Sequence, residues 1–246
     1  MGIFSGQTIL VTGASGGIGE AIAGALGVKG ANVCLTGRNR KRLLEIANRM
    51  PAQRAHSYPA DLTVAKEVRS VAKKILGDHQ RVDAVVHCAA VIALDPIAIA
   101  SIKNFDRQFQ TNVLGPFSLT QLLLPALIAS QGQVVFTNSS AGLTARAGVS
   151  QYAATKHALK AIADSLREEC NSAGVRVCSL FLGATATPMQ AAVRTQQKRH
   201  YAPDRLMQPE DVAALVTALL ALPRTAEVTD VMMRPMKRPD QCSKPS

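Results

Sequence analysis

Residues 7–28 constrain this chain more than any other segment. They run Gln-Thr-Ile-Leu-Val-Thr, turn through Gly13-Ala14-Ser15-Gly16-Gly17-Ile18-Gly19, and continue as an Ala/Leu-rich stretch to Val28. The β-branched run suits a buried strand, and the segment after the glycines suits an amphipathic helix. A strand that enters a helix through glycines is the opening βα unit of a dinucleotide-binding parallel sheet. Gly13 is expected to permit the tight turn, Gly17 to let the backbone approach a pyrophosphate, and Gly19 to let the helix pack closely on the sheet. Unpaired N–H groups and a positive field at the helix start would face the phosphates. An ordinary glycine loop is the plainer alternative, and the placement directly after a strand argues against it.

The 246 residues suffice for one large α/β domain or two small ones, with a substantial core. Ala, Val and Leu dominate, aromatic content is 4%, and Trp is absent, as expected of a buried parallel sheet covered by helices. The 28 Lys and Arg against 17 Asp and Glu give a formal net charge of +11. Such a balance fits nucleic acid, a membrane surface or acidic partners, and equally the basic solvated face of an enzyme. No basic run carries interleaved aromatics and no zinc-finger spacing occurs, so neither nucleic acid nor a bound metal is expected. Cys34, Cys88, Cys170, Cys178 and Cys242 form no CxxC pair, and three fall in predicted strands. Reduced, mostly buried thiols and a cytoplasmic location follow as expectations. No signal peptide pattern and no run of eighteen apolar residues is evident, so no membrane span is expected.

The second strand, residues 31–36, leads into Gly37-Arg38-Asn39-Arg40-Lys41. The adenosine ribose would lie there in this architecture, and an acidic residue would read the 2′-hydroxyl of NAD. None is present. Gly37 leaves room and Arg38 offers a guanidinium suited to a 2′-phosphate, with Arg40 or Lys41 assisting, so NADP(H) is expected over NAD(H). A solvated basic helix start is the alternative. Residues 56–60 read as a third strand; Asp61 is placed to accept from the adenine amino group, Leu62 lies beside it, and Thr63 is a candidate cap for the next helix. Residues 81–87 form the fourth strand and run into Cys88-Ala89-Ala90, where small residues would admit the cofactor. An apolar loop over 91–99 is a candidate wall of a substrate pocket. Residues 101–128 read as mostly helical, with Asn112 inside, where an asparagine needs a local bond or a task.

The fifth strand, residues 133–138, ends at Ser139-Ser140. Tyr152 and Lys156 share one face of the following long helix by their i,i+4 spacing. A nearby ammonium is expected to favour the phenolate and lower the Tyr152 pKa, so that the phenol trades a proton with a carbonyl or alcohol oxygen held by Ser139. A surface tyrosine and a solvated lysine would show the same spacing. The sixth strand spans 175–181, a loop follows at 183–187, and residues 191–205 read as a mobile helical lid carrying Arg194, Lys198, Arg199 and His200. That basic entrance is a candidate selector of anionic substrates, or else a solvated helix. A helix from Pro209 and a seventh strand over 228–233 complete the pattern. Residues 1–236 are therefore read as a single doubly wound α/β domain with a seven-stranded parallel sheet, 188–208 as a candidate substrate lid, and 237–246 as a polar, disordered tail.

Taken together, TGASGGIG at 12–19, Asn112, Ser139, YAATK at 152–156 and GATAT at 183–187 resemble the short-chain dehydrogenase/reductase family. Tyr152 follows Ser139 by thirteen positions, as in that family's pattern, and the resemblance covers about residues 5–235. It implies hydride transfer between NAD(P) and a carbonyl or alcohol carbon, with Asn112, Ser139, Tyr152 and Lys156 as the catalytic set. In that scheme Tyr152 is the acid/base, Ser139 orients the reacting oxygen, Lys156 binds the nicotinamide ribose and tunes Tyr152, and Asn112 anchors a water in a proton relay. Cofactor contacts are implied for Gly13, Ser15, Gly17, Ile18, Gly19, Arg38, Asp61, Leu62, Ala89, Tyr152, Lys156 and Thr187, the last to the carboxamide. The resemblance also implies a homotetramer or homodimer acting on a small-molecule carbonyl or alcohol.

Three departures stand out. His87-Cys88-Ala89-Ala90 replaces the usual Asn-Asn-Ala-Gly, Leu182 replaces the proline before Gly183, and Gly16 occupies a position often basic in NADP-preferring members. Competing readings are sugar epimerisation or dehydration, reduction of 3-ketoacyl groups on an acidic acyl-carrier protein, and a non-catalytic nucleotide-binding or structural protein. The first would need more than the roughly 60 residues that follow the sixth strand. The carrier reading lacks a basic residue over 127–133, although Arg167 remains.

Overall fold

The structure, a computed structural model, describes residues 2–51 and 54–236; the tail at 237–246, with Cys242, lies outside the described residues. Its elements in chain order are β1 (Thr8–Thr12), α1 (Gly17–Val28), β2 (Asn32–Gly37), α2 (Arg40–Arg49), β3 (Ala55–Pro59), α3 (Ala65–Asp78) and β4 (Ala84–His87). There follow α4 (Ile102–Phe109), a π-helical segment (Gln110–Leu114), α5 (Gly115–Ala129), β5 (Gln133–Ser139), α6 (Ser150–Cys170), β6 (Arg176–Leu182), α7 (Pro188–Gln196), α8 (Pro209–Leu220) and β7 (Asp230–Met233). The seven strands pair in the order β3-β2-β1-β4-β5-β6-β7, all parallel. This is a Rossmann-like doubly wound sheet. Strand order reverses between β1 and β4, where Thr12 pairs with His87, and a crevice opens at the carboxyl ends of the strands there.

Strand alternation divides the core in two. Ile9, Val11, Val33, Leu35, Val86 and Val135 face Ile22 and Leu26 of α1, Leu43 of α2, and Val212 and Val216 of α8. Leu10, Val85, Val134 and Phe136 face Val71 and Ile75 of α3, Leu119 and Leu123 of α5, and Leu159 of α6. All five residues of β1 are buried because both its faces are covered. Truncating Leu123, fully buried, to Ala would cost about 2–5 kcal/mol.

Helix starts follow their caps. Asn39 accepts from Arg42 N at 3.0 Å, and Thr187 accepts from Gln190 N at 3.2 Å. Thr63 does not cap α3 as expected. Val64 holds the cap position without a side-chain bond, and both Thr63 N and Thr63 Oγ1 donate to Asp61 Oδ1, at 2.9 and 2.8 Å. These bonds hold Thr63 in the turn with Asp61, one position ahead of the cap.

Helix continues from α4 to α5 through the π segment, which carries Asn112. Residues Ile102–Ala129 form a helical run of 28 residues, with a window of mean hydropathy 1.4, long and apolar enough to cross a membrane by length and composition. The sequence reading expected no such segment. In the fold, Leu119, Leu123 and Leu127 of this run are fully buried in the core shared with α3.

Gly13 adopts φ +64°, and a Cβ there would sit 2.7 Å from Ala89 N. Both backbone conformation and space require glycine. At Gly19 a Cβ would lie 2.4 Å from Gly13 O. The close approach that Gly19 permits is thus to the glycine turn itself, rather than to the sheet as expected.

Candidate active site

The turn after β1, the end of β2 and the segment after β4 enclose a groove of about 730 Å³, open to solvent. Gly13, Ser15, Arg38, Asp61, Leu62 and Ala89, all expected cofactor contacts, line it. Cys88, Ala90, Val91, Thr111 and Met189 line it too. Gly17, Ile18 and Gly19 form the first turn of α1. A Cβ on Gly17 would come within 3.1 Å of Thr187 Cγ2, so the loop after β6 meets the helix start. At Gly37 a Cβ would approach Ser15 Oγ to 3.2 Å, so glycine keeps that end of the groove open. Arg42 is committed to Glu20 at 2.8 Å, whereas Arg38 makes no ion pair among the described residues. Asp61 lines the groove while its Oδ1 accepts from Thr63 and its N–H donates to Glu67 Oε2 at 2.7 Å.

The departure at residues 87–90 is held by the main chain. Thr12 Oγ1 accepts from Cys88 N at 3.1 Å and from Ala89 N at 3.2 Å, fastening the end of β4 to the end of β1. His87 turns into the core, stacks on Phe136 at 5.0 Å and bonds Thr120 Oγ1 through Nε2 at 2.9 Å. Burial pulls its pKa down to about 3, so the ring is neutral. Cys88 lies just past β4 rather than within a strand, and burial pushes its thiol up to about 12.

Ser139 ends β5, and Tyr152 and Lys156 occupy the first turns of α6 beside it. Asn138 joins the two elements: its Oδ1 accepts from Ser139 N at 2.8 Å and its Nδ2 donates to Lys156 O at 3.1 Å. Lys156 is 2% exposed, and its Nζ donates to Thr137 O at 3.0 Å. That ammonium lies 5.7 Å from the centre of the Tyr152 ring. The expected lowering of the Tyr152 pKa is not what the protein alone produces. Burial pushes the phenol up to about 12, and a hydrogen bond with Ser139 only partly opposes it. Burial also pulls Lys156 down to about 8, weakening the positive field that was to act on the phenol. Tyr152 is therefore a protonated donor at neutral pH.

Asn112 has the task that its interior position demanded. Its Oδ1 accepts from Val91 N at 2.8 Å, and its Nδ2 donates to Val91 O at 2.9 Å and to Thr155 Oγ1 at 3.1 Å. The π segment turns it toward both partners, a use such segments often have. Thr155 in turn donates to Tyr152 O at 2.8 Å.

The lid differs from expectation. Helix occupies only Pro188–Gln196, started by the Thr187 cap and Pro188, and Lys198 at φ +52° lies beyond its end. Arg194, expected to be a solvated entrance charge, is 7% exposed, so the apolar side of α7 carries it inward. Met189 reaches the groove, and Gln196 Nε2 donates to Leu94 O at 2.9 Å, tying α7 to the apolar loop.

Sequence reasoning missed Gln108, Gln151, Thr155, Thr12 and Asn138. Gln108 and Asn112 did carry a signal: two amides at i,i+4 on a face that packs inward, four residues apart on one helical run.

Comparison with known proteins agrees with this geometry. Residues 7–198 match the family model described as short chain dehydrogenase. An uncharacterized oxidoreductase of Staphylococcus epidermidis is 32% identical over 231 residues, 94% of this chain and 97% of that protein. An alcohol dehydrogenase from the archaeon Thermococcus sibiricus, solved with 5-hydroxy-NADP, superposes with a TM-score of 0.86 at 28% identity, covering 95% of this chain and 99% of the other. A short chain dehydrogenase from Shigella flexneri, solved with NADP, gives 0.85 at 30% identity, covering 94% and 97%.

Proposed function

The chain belongs to the short-chain dehydrogenase/reductase family of NAD(P)-dependent oxidoreductases, and from that premise we propose that it reduces a ketone to a secondary alcohol with NADPH, reversibly. The observation that carries this reading is the convergence of Ser139, Tyr152 and Lys156 at the end of β5 and the start of α6, beside a groove whose glycine turn leaves space for a pyrophosphate. NADPH, when bound, supplies the hydride to the carbonyl carbon. Tyr152 Oη gives its proton to the carbonyl oxygen as the C–O bond becomes single, and Ser139 Oγ holds that oxygen. A phenol kept protonated by burial is in the state that reduction requires. Lys156 holds the ribose hydroxyls, and Asn112 fixes the backbone at Val91 and, in the proposed relay, a water behind Lys156. Thr187, at the start of α7, takes the carboxamide.

NADP(H) preference rests on Arg38 and Gly37 at the end of β2. Arg38→Ala should weaken NADPH by about 1.5–3 kcal/mol while sparing NADH. Equal loss for both cofactors, measured as dissociation constants, would remove Arg38 from that role. The carrier-protein reading loses support, because Arg167 is spent inside the fold: it donates to Val177 O at 3.0 Å and Thr229 O at 3.1 Å and pairs with Asp164 at 3.0 Å. Leu114, Phe117 and Ile128, all exposed on the helical run at α5, support assembly as a homotetramer or homodimer, to be read by light scattering. Four described thiols without partners agree with a reducing, cytoplasmic setting. The deciding experiment is a carbonyl-substrate screen that follows NADPH consumption, and no turnover of any ketone would overturn the reductase reading.

A further inference from the structure

Two buried amides take no part in the chemistry above. Gln108 of α4 is 1% exposed and Gln151, in the first turn of α6, is 6% exposed. Their bonds run head to tail. Ala93 N donates to Gln108 Oε1 at 3.0 Å, Gln108 Nε2 donates to Gln151 Oε1 at 3.3 Å, and Gln151 Nε2 donates to Ser101 O at 2.9 Å. Both ends of this chain are main-chain groups of one loop, residues 93–101. The two side chains thus close the loop as a strand partner would, with side-chain amides in place of main-chain ones.

The closure has a direction and a place. Every amide accepts once and donates once in the same sense, so each bond polarises the next. Gln151 immediately precedes Tyr152, and the loop begins next to Val91, which Asn112 holds. Gln196 of α7 meets the same loop at Leu94 O. Removing either glutamine leaves buried polar groups without partners, which is costly, so the three bonds form or open together.

We propose that Gln108 and Gln151 are positioning residues that lock the 93–101 loop to the turn bearing Tyr152 and so set the width of the carbonyl pocket. The loop is held from α4 and α6 by the two glutamines, and Gln196 of α7 meets it at Leu94 O. This rests on the reductase reading for its kinetic part only.

The test uses the full chain with Gln108→Met, Gln151→Met and the double variant, since methionine keeps the length and loses the amide. The probes are 2-butanone and the bulkier propiophenone, with NADPH. Each single variant is expected to lower kcat for the smaller ketone roughly ten- to a hundredfold. The double variant should be no worse than either single, because one cooperative unit is lost only once. The preference between the two ketones should shift toward the larger, and the NADPH dissociation constant should stay within about twofold of wild type. Amide hydrogen exchange should rise over 93–101 and not over β1 or β2. Additive losses, an unchanged ketone preference, an equal fall in NADPH affinity, or unaltered exchange at 93–101 would each overturn the proposal. If wild type reduces no ketone of the substrate screen, the reductase reading fails and exchange alone judges the loop. If a methionine variant does not fold, Gln108→Asn and Gln151→Asn, each one methylene too short to span the gap, are expected to give the same exchange and kinetic pattern.

Discussion

On the β1–β2 side of the crevice, the groove is walled by main chain and small residues: Gly13 against Ala89, Gly37 against Ser15, Gly17 against Thr187. On the β4–β5 side, the walls are loops fastened by long-range side-chain amides: Asn112 to Val91, Gln108 to Ala93, Gln151 to Ser101, Asn138 to Lys156. In the proposed function the first side would take the part of the ligand that never changes, the nucleotide, which needs only absent side chains and exposed N–H groups. The second would take the substrate, and there each of these amides is set by a partner 15 to 50 positions away. A site can thus be constant in one half and adjustable in the other without any change of fold.

The widest separation between the halves should come from Tyr152→Phe. It removes the transferable proton and nothing from the groove, so kcat should fall roughly 10²–10⁴-fold with NADPH affinity preserved. Near-normal turnover on a saturating ketone would make the adjustable half something other than the chemical half. Gly13→Ala is the reciprocal change. Strain at φ +64° and contact with Ala89 N should cost about 1–3 kcal/mol of stability and weaken NADPH binding, leaving ketone preference untouched. An unchanged melting temperature and dissociation constant would break the account of a groove built from main chain.

A last comparison tests where the halves should be alike. Cys34 of β2 and Cys178 of β6 are each pushed up to about 12, chiefly by burial. In the unfolded chain these thiols ionise near their ordinary pKa of about 8.5, so between there and 12 the unfolded state holds fewer protons. Stability must then fall as pH rises, by about 1.4 kcal/mol per pH unit for each thiol. Denaturant melts from pH 8 to 11 should show Cys34→Ala and Cys178→Ala flattening that slope equally. Flattening by only one would mean that the two sides of the sheet differ in burial as well as in fastening.

The legible part of this molecule follows the same division. The glycine turn and the buried strands were readable because each acts within a few residues of itself, and Arg38 after β2 does line the groove. Ser139, Tyr152 and Lys156 were readable as a pattern, yet the direction of the Tyr152 shift was not: it depends on burial by elements distant in sequence. Thr63 misled because the turn it forms with Asp61 leaves Val64, one residue later, at the start of α3. The lid was read too long because a single residue, Lys198, leaves helical geometry without any glycine or proline to announce it. Gln151 was invisible, and so were the partners of Gln108, because an amide declares its use only through a partner, and theirs lie at Ala93 and Ser101.

The Thr12 hydroxyl has a consequence for how far the chain tolerates rewriting. It grips Cys88 and Ala89 by their main-chain N–H groups, which every residue but proline possesses. The identities of residues 88 and 89 are therefore uncoupled from the path of the backbone there, and one threonine hydroxyl carries the sequence constraint for both. Variation at those two positions keeps both main-chain bonds, within the limits of size set by the cores that Cys88 and Ala89 pack against, and a protein engineer wishing to alter the crevice floor would begin there and leave residue 12 alone.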